Sequence, residues 1–587
     1  MKQGIDMFSF WSIIVLVCVC GFFVASAASA QDHGKKDLKW WQKTTVYQIY
    51  PRSFADTTGN GIGDLAGITN HLEHIQQLGV GAIWLTPIYP SPMVDNGYDI
   101  ADYKAVDPLY GTMEDFDRLT AEAKKRDIRI VMDLVFNHSS DQHEWFQESR
   151  KSRTNPKADW YIWRDAKPDG SAPTNWRSFF GGSAWTWSEE RGQYYLHTFA
   201  AQQPDLNWEN PEVRHALYAA AQFWLDKGVG GFRIDAIPYI KKPVFQDGTP
   251  DGADGMVSIH KMTANTPGIL DFLHEFKNEV FVGRDIFTVG EANGVQPKDL
   301  PQWVGDDGVF DMVFEFSHLN LSLKNGEIWH RPTSWTMPEL KSALSATQEA
   351  TKDNGWCPVF FENHDQPRCV NHFFPVMANQ DKAAKVIAAV LLTLRGTPFI
   401  YQGQELGYSN VEWPSIEDYD DISSHGQYHS ALQEGFSHEK AMEFIHCFSR
   451  DNARTPMQWD NSKNAGFTTV KPWLPIHDDY AQQNVAFQEQ DETSVLKWYH
   501  RLAEFRKTNP ALTEGDYEVL LPGDEQIFAF TRTSAKQQLT TIANFSTEAV
   551  RIPREAVSGK RVVLSSEDNP DDMQLKPLEA RIYERVN

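Results

Sequence analysis

Eight short apolar runs alternate with helix-forming stretches along most of this chain, and few architectures accept that alternation. The runs are Thr45–Tyr50, Ala82–Leu85, Arg129–Leu134, Gly231–Asp235, Ile286–Val289, Met312–Glu315, Cys357–Phe361 and Phe399–Tyr401. Between them, Ile68–Leu78, Met113–Lys125, Pro211–Lys227, Pro267–Val280, Met337–Asp353 and Asp381–Leu394 read as helices. Strands apolar on both faces need a sheet covered on both sides, so eight such units predict an α/β fold, a closed (β/α)8 TIM barrel. One connection breaks the beat. The Trp-, Ser-, Gly- and Asn-rich stretch after His138 is too long for a plain loop and predicts an inserted subdomain, residues 139–208, after strand 3. Residues 407–460 read as a second irregular stretch on the same rim. From residue 512 the pattern changes to short alternating runs such as Gln526–Phe530 and Leu539–Phe545, which predict a C-terminal antiparallel β-sandwich over 512–587. The barrel then takes 31–138 and 209–511.

Within Gly230-Gly231-Phe232-Arg233-Ile234-Asp235-Ala236, Arg233 and Asp235 lie two residues apart and share one face of a strand. Glu291 ends a second apolar run and Asp365 follows a third. In parallel barrels the working residues sit at the C-terminal strand ends, which is where these three acids fall. Two carboxyl groups facing each other across a pocket are the equipment for cleaving a glycosidic bond. Arg233 is expected to favour the ionised form of Asp235, as a nucleophile needs, and Glu291, with no basic neighbour in sequence until Lys298, is expected to hold a proton as a general acid. Asp365 would grip hydroxyls or stabilise positive charge on the ring.

Acids outnumber bases 79 to 55, a formal charge of -24, which argues against nucleic acid or an anionic membrane as partner and suits a neutral substrate. Phe8 to Val24 is an apolar run after Lys2, and Ala28-Ser29-Ala30 behind it fits a signal-peptidase site. Residues 1–30 are therefore expected to be a cleaved signal peptide, giving a secreted or periplasmic protein with no membrane attachment. Cys357, Cys369 and Cys447 allow at most one disulfide in the mature chain. In Asp56-Thr57-Thr58-Gly59-Asn60-Gly61-Ile62-Gly63-Asp64, oxygen side chains alternate with glycines. That spacing suits either a structural Ca²⁺ or an ordinary Gly-rich turn held by Asx hydrogen bonds.

Asp133-Leu134-Val135-Phe136-Asn137-His138, Gly231–Ala236, Val289-Gly290-Glu291-Ala292 and Phe361-Glu362-Asn363-His364-Asp365 resemble, in order, four motifs of the α-amylase family of glycoside hydrolases, family 13. Gln203-Pro204-Asp205-Leu206-Asn207-Trp208 resembles a fifth, that of the oligo-1,6-glucosidase and α-glucosidase branch, and Arg450–Trp459 is similar to that branch too. The resemblance implies Asp235 as nucleophile, Glu291 as general acid and base, and Asp365 as transition-state stabiliser in a retaining double displacement. It implies that His138, Arg233 and His364 hold hydroxyls and that Tyr98 stacks on the sugar ring. Asp99 with Arg454 would close the pocket behind the non-reducing end, and Phe199 and Gln203 would add to it from the inserted subdomain. It also favours the calcium reading of Asp56, Thr58, Asn60, the Ile62 carbonyl and Asp64, with no cofactor for catalysis.

The implied activity is an exo-α-glucosidase on short oligosaccharides or disaccharides, with transglucosylation, in a monomer. Ala236 follows the nucleophile where the branch carries Val in α-1,6 enzymes, Thr in several sucrose isomerases and Ala in α-1,4 enzymes, so maltose-type or sucrose-type substrates are expected over isomaltose. The competing reading is an isomerase that moves the glucosyl unit, like sucrose isomerases and trehalose synthases; Phe179–Trp185 is shared with the former, whereas Ser317–Lys324 replaces their Arg-rich loop. A third is a non-enzymatic relative such as a transporter heavy chain.

Overall fold

The computed structural model describes residues 38–586 apart from 253, 325–327, 375–378 and 572. The expected signal peptide lies outside the described residues. From Lys39 onward the chain forms one compact unit.

Eight parallel strands form the central sheet: β1 (Thr45–Ile49), β2 (Val80–Leu85), β3 (Arg129–Val135), β4 (Gly231–Asp235), β5 (Phe287–Glu291), β6 (Met312–Phe314), β7 (Pro358–Val359) and β8 (Thr397–Tyr401). Their order is β6-β5-β4-β3-β2-β1-β8-β7, so chain order and spatial order agree and only β6 and β7 remain to meet. Aromatic packing fills that seam, with the Phe314 ring 4.8 Å from both Phe360 and Phe399. Every residue of β1, β4 and β8 is buried, as strands covered on both faces require.

The helices start where their caps dictate. Thr112 and Thr336 form capping boxes with Asp115 and Glu339, opening Met113–Lys124 and Met337–Ala350, and Asn210 caps Pro211–Asp226. The helix expected over Ile68–Leu78 is broken into Leu65–Asn70 and Leu72–Gln77 at His71. The His71 ring bonds the Gly67 carbonyl at 2.8 Å and stacks on Trp459 at 3.7 Å, taking a carbonyl the helix would use. The helix expected over Pro267–Val280 runs regularly only over Ile269–Phe276 and then loosens into a wide turn, Lys277–Phe281.

The segment after β3 folds into a small three-stranded sheet, Trp163–Arg164, Gln193–Leu196 and Trp185–Ser188. Its core also takes Val257 and Ile259, because Trp176–Arg177 pairs with Val257–Ser258. The loop after β4, read from sequence as barrel, thus contributes to the inserted layer. The stretch 407–460 is not irregular: Ile422–Gln433 and His438–Phe448 form a helical hairpin around Tyr428, Ala441 and Ile445. Its first helix, rich in Ser, His and Gln, hides a weak apolar face among polar residues. At the C-terminus, Asp516–Leu520, Ile527–Thr533, Gln538–Asn544, Ala580–Arg585 and Lys560–Ser565 make a five-stranded antiparallel sheet, and the ribbon of Val550–Arg551 with Gln574–Leu575 packs on it through Leu575.

Candidate active site

β4 places Arg233 and Asp235 on its inner face, and Arg233 becomes the centre of a buried carboxylate cluster. Its Nη1 donates to Asp133 on β3 at 2.9 and 3.0 Å and to Asp235 at 2.6 Å. Its Nη2 reaches Glu291 Oε2, at the end of β5, at 2.9 Å. Glu291 therefore has a basic neighbour, contrary to the sequence expectation, because the partner comes from the adjacent strand. Glu291 Oε2 also accepts the Ala236 N–H at 2.9 Å. Ala236 makes that bond from a left-handed conformation, φ 48° and ψ 30°, which turns the chain sharply after β4.

Asp133, to which the sequence reading gave no separate role, is fully buried and also accepts Trp84 Nε1 at 3.2 Å and the Tyr98 hydroxyl at 3.0 Å. The Tyr98 oxygen lies 2.6 Å from His364 Nε2, and Gln48 approaches His364 Nδ1 at 2.7 Å. Burial takes the His364 pKa down to about 3, so its imidazole is neutral at pH 7. Asp365 meets His364 Nε2 at 3.0 Å, Arg454 Nη2 at 2.9 Å and Arg450 Nη1 at 3.3 Å. Burial alone would lift the Asp365 pKa, yet the charges around it hold it well below the usual carboxylate range. In the acid range where Asp365 would take up a proton, the His364 ring is charged and is the first of those charges, followed by Arg450, Arg454 and Arg233.

The expected depression of Asp235 is reversed. Burial raises it well above its ordinary value, with Glu291, Asp133 and Asp365 adding to the rise against Arg233. Burial also lifts Asp133, to about 6, despite Arg233. Asp133 and Asp235 share one Arg233 nitrogen in a buried site, so the two titrate together and not independently.

These side chains open into a cavity of about 210 Å³ whose lining includes Tyr98, His138, Phe199, Asp235, Ala236, Glu291 and Asp365. The structure does not bring Asp99 to Arg454. Asp99 is fully buried and accepts from Ser91 Oγ and the N–H groups of Val94 and Asp95. The pair on the cavity wall lies four residues earlier in each segment: Arg450 Nη2 donates to Asp95 Oδ1 at 2.8 Å, and both line the cavity. The sequence offers an acid at both ends of Asp95–Asp99 and an arginine at both ends of Arg450–Arg454, and only packing chooses between them. Behind this wall Arg454 and Asp421 are fully buried, so the cavity is blind on that side. Gln203 supports from behind, donating to Asp95 Oδ2 at 3.1 Å, while His138 packs on Phe199 with ring centroids 5.1 Å apart. On the other side a second chamber of about 430 Å³ shares Phe179, Phe180, Asn293 and Gln427 with the first.

The glycine-rich loop satisfies its own oxygens. Asp56 accepts from the N–H groups of Thr58, Gly59 and Gly61 and from Thr468 Oγ1, and Asn60 accepts from the Ile62 N–H. Asp64 accepts from Thr57 and caps the helix at Leu65 through the Gly67 N–H. Among the described residues no group of three or more His, Cys, Asp or Glu could hold a metal. With only two carboxylates, each facing N–H donors, the loop fits the Asx turn better than a cation.

The sequence pattern of the Alpha-amylase family (alpha amylase, catalytic domain) matches residues 48–515. The chain is 44% identical over 556 residues to an oligo-1,6-glucosidase from Parageobacillus thermoglucosidasius, covering 93% of this chain and 98% of that protein. It is 42% identical over 554 residues to a trehalose-6-phosphate hydrolase from Bacillus subtilis, with 93% and 98% covered. Among solved structures, the isomaltulose synthase from Protaminobacter rubrum superposes with a TM-score of 0.88 at 38% identity, covering 94% of this chain and 100% of that one. With the barrel, the blind cavity and the carboxylate cluster already in place, these matches show that the chain belongs to the alpha-amylase family of glycoside hydrolases.

Proposed function

We propose that this chain is an exported, retaining exo-α-glucosidase that releases glucose from the non-reducing ends of short α-glucosides. The observation that carries the reading is Arg233, whose two terminal nitrogens hold Asp235 and Glu291 side by side in a pocket closed at its far end by Asp95 and Arg450. Two carboxyls on one guanidinium are a few ångströms apart, which suits the ~5–5.5 Å of retaining enzymes better than the wider gap of inverting ones. Asp235 gives Oδ1 to Arg233 and keeps Oδ2 for the anomeric carbon. Glu291 gives Oε2 to Arg233 and Ala236, which leaves Oε1 as the oxygen free to meet the leaving group. Asp365, held ionised by the arginines, faces the positive charge that develops on the ring. Export rests on the apolar run and the Ala28-Ser29-Ala30 site.

Incubation with maltose, sucrose, isomaltose and trehalose, followed by chromatography, tests the reading: free glucose from maltose is expected, and inertness on all four would sink it. The isomerase reading is favoured by the close match to isomaltulose synthase. Isomaltulose or trehalulose from sucrose would select it.

Ala236 supports α-1,4 over α-1,6 linkage, since a β-branched residue is costly in the left-handed conformation it adopts and would crowd the cavity it lines. Ala236→Val is expected to raise the isomaltose-to-maltose ratio of kcat/KM by ~10-fold, mainly through loss on maltose. An unchanged ratio would remove Ala236 from the specificity argument. Calcium at Asp56–Asp64 would have to compete with the donors already there. The melting temperature is therefore expected to differ by under ~2 °C between millimolar Ca²⁺ and excess chelator. A larger shift would place an ion in the loop.

A further inference from the structure

Arg450 touches both Asp95 and Asp365, so whatever fixes Arg450 fixes two walls of the pocket. That role falls to Asp421, a fully buried residue one layer behind the wall. Asp421 is the N-cap of Ile422–Gln433. Its Oδ2 accepts from the Ser424 N–H at 3.1 Å and Ser424 Oγ at 2.7 Å, and its Oδ1 from the Ser423 N–H at 3.0 Å. The same Oδ1 takes Arg450 Nε at 2.8 Å and Nη2 at 2.6 Å.

A guanidinium is planar and its N–H groups form a fixed fork. Once the Nε and Nη2 edge is seated on Asp421, the directions of Nη2 toward Asp95 and Nη1 toward Asp365 follow. The helix also controls the face of Arg450. The Phe180 ring lies 5.0 Å from the guanidinium carbon, and the Phe180 carbonyl packs so closely on Gly426 that a Cβ there would come within 2.3 Å of it. One helix therefore holds the edge of the arginine and seats the aromatic ring that covers it.

We propose that Asp421 is a positioning residue for the glucosyl pocket, acting through Arg450 to set Asp95 and Asp365. The assignment rests on the exo-α-glucosidase reading of the pocket. Asp421 is built to stay charged: burial would raise its pKa, but Arg450 and Arg454 outweigh that and bring it to about 2.

Asp421→Asn keeps the shape and a capping oxygen but loses the charge that anchors Arg450. It is expected to lower kcat/KM for maltose ~30- to 100-fold, with kcat and KM both affected, and to weaken deoxynojirimycin binding ~10-fold. In an Arg450→Ala background the same substitution is expected to cost under ~3-fold, because the group it acts through is gone. A merely structural Asp421 would cost the same in both backgrounds, and that additivity would overturn the proposal. Should the Asn variant fail to fold, Asp421→Ser retains a strong helix cap and is read in the same cycle. A parent enzyme without turnover on any α-glucoside would sink the functional reading; an active parent with an equally active Asp421→Asn would sink this one.

Discussion

Asp235→Asn is expected to lower maltose turnover by ~10⁴-fold or more while leaving the fold intact, since removing a nucleophile forfeits the covalent route altogether. The stability side follows from sign. Burial raises the folded pKa of Asp235 above its unfolded value, so its contribution is full below the unfolded pKa and is lost as pH rises through the folded one. A neutral amide escapes that loss. The variant should therefore melt no lower than the parent at neutral pH, and circular dichroism melts beside activity assays check both halves. Glu291→Gln should differ in kind: ~10²- to 10⁴-fold loss on maltose, but far less on a glucoside whose leaving group needs no proton. Equal losses on both substrates would contradict the assigned roles.

The second large effect is expected at Arg233. It is buried and holds Asp133, Asp235 and Glu291, with its guanidinium 5.2 Å from the Trp84 ring. Arg233→Ala strands those acids without their cation, which costs ~3–5 kcal/mol of stability and all measurable turnover. The deficit should depend on pH. Asp133 and Asp235 already have raised folded pKa values, and losing the arginine raises them further. Their stabilising contribution is then lost over a longer climb in pH, so the gap to the parent should be wide at pH 7 and narrow toward pH 5. Denaturant titrations at the two pH values measure it; a gap that widens on acidification would contradict this account of the cluster.

Much of this was legible in the sequence where one physical rule acted alone. β4 runs over Gly231–Asp235 as its apolar pattern predicts, and the helix at Met113 starts at its Thr112 capping box. Asp235 and Glu291 are the last residues of β4 and β5, where a parallel barrel puts its working groups, and Asp365 lies in the loop that follows β7. Legibility failed where partners come from distant segments. Nothing near Glu291 announces Arg233, and nothing in Asp95–Asp99 or Arg450–Arg454 says which member faces the cavity. The charge state of Asp235 is hidden for the same reason: the sequence shows the neighbouring arginine, but not the burial and facing acids that outweigh it. The polar composition of Ile422–Gln433 masks a helix defined mainly by its Asp421 cap.

Proton NMR of the glucose first released from an aryl α-glucoside, whose leaving group is not itself a sugar, recorded before mutarotation, tests the central claim most directly. Two displacements at one anomeric carbon, by Asp235 and then by water under Glu291, return the original configuration, so the account predicts the α anomer. The β anomer as first product would mean a single displacement and would contradict it.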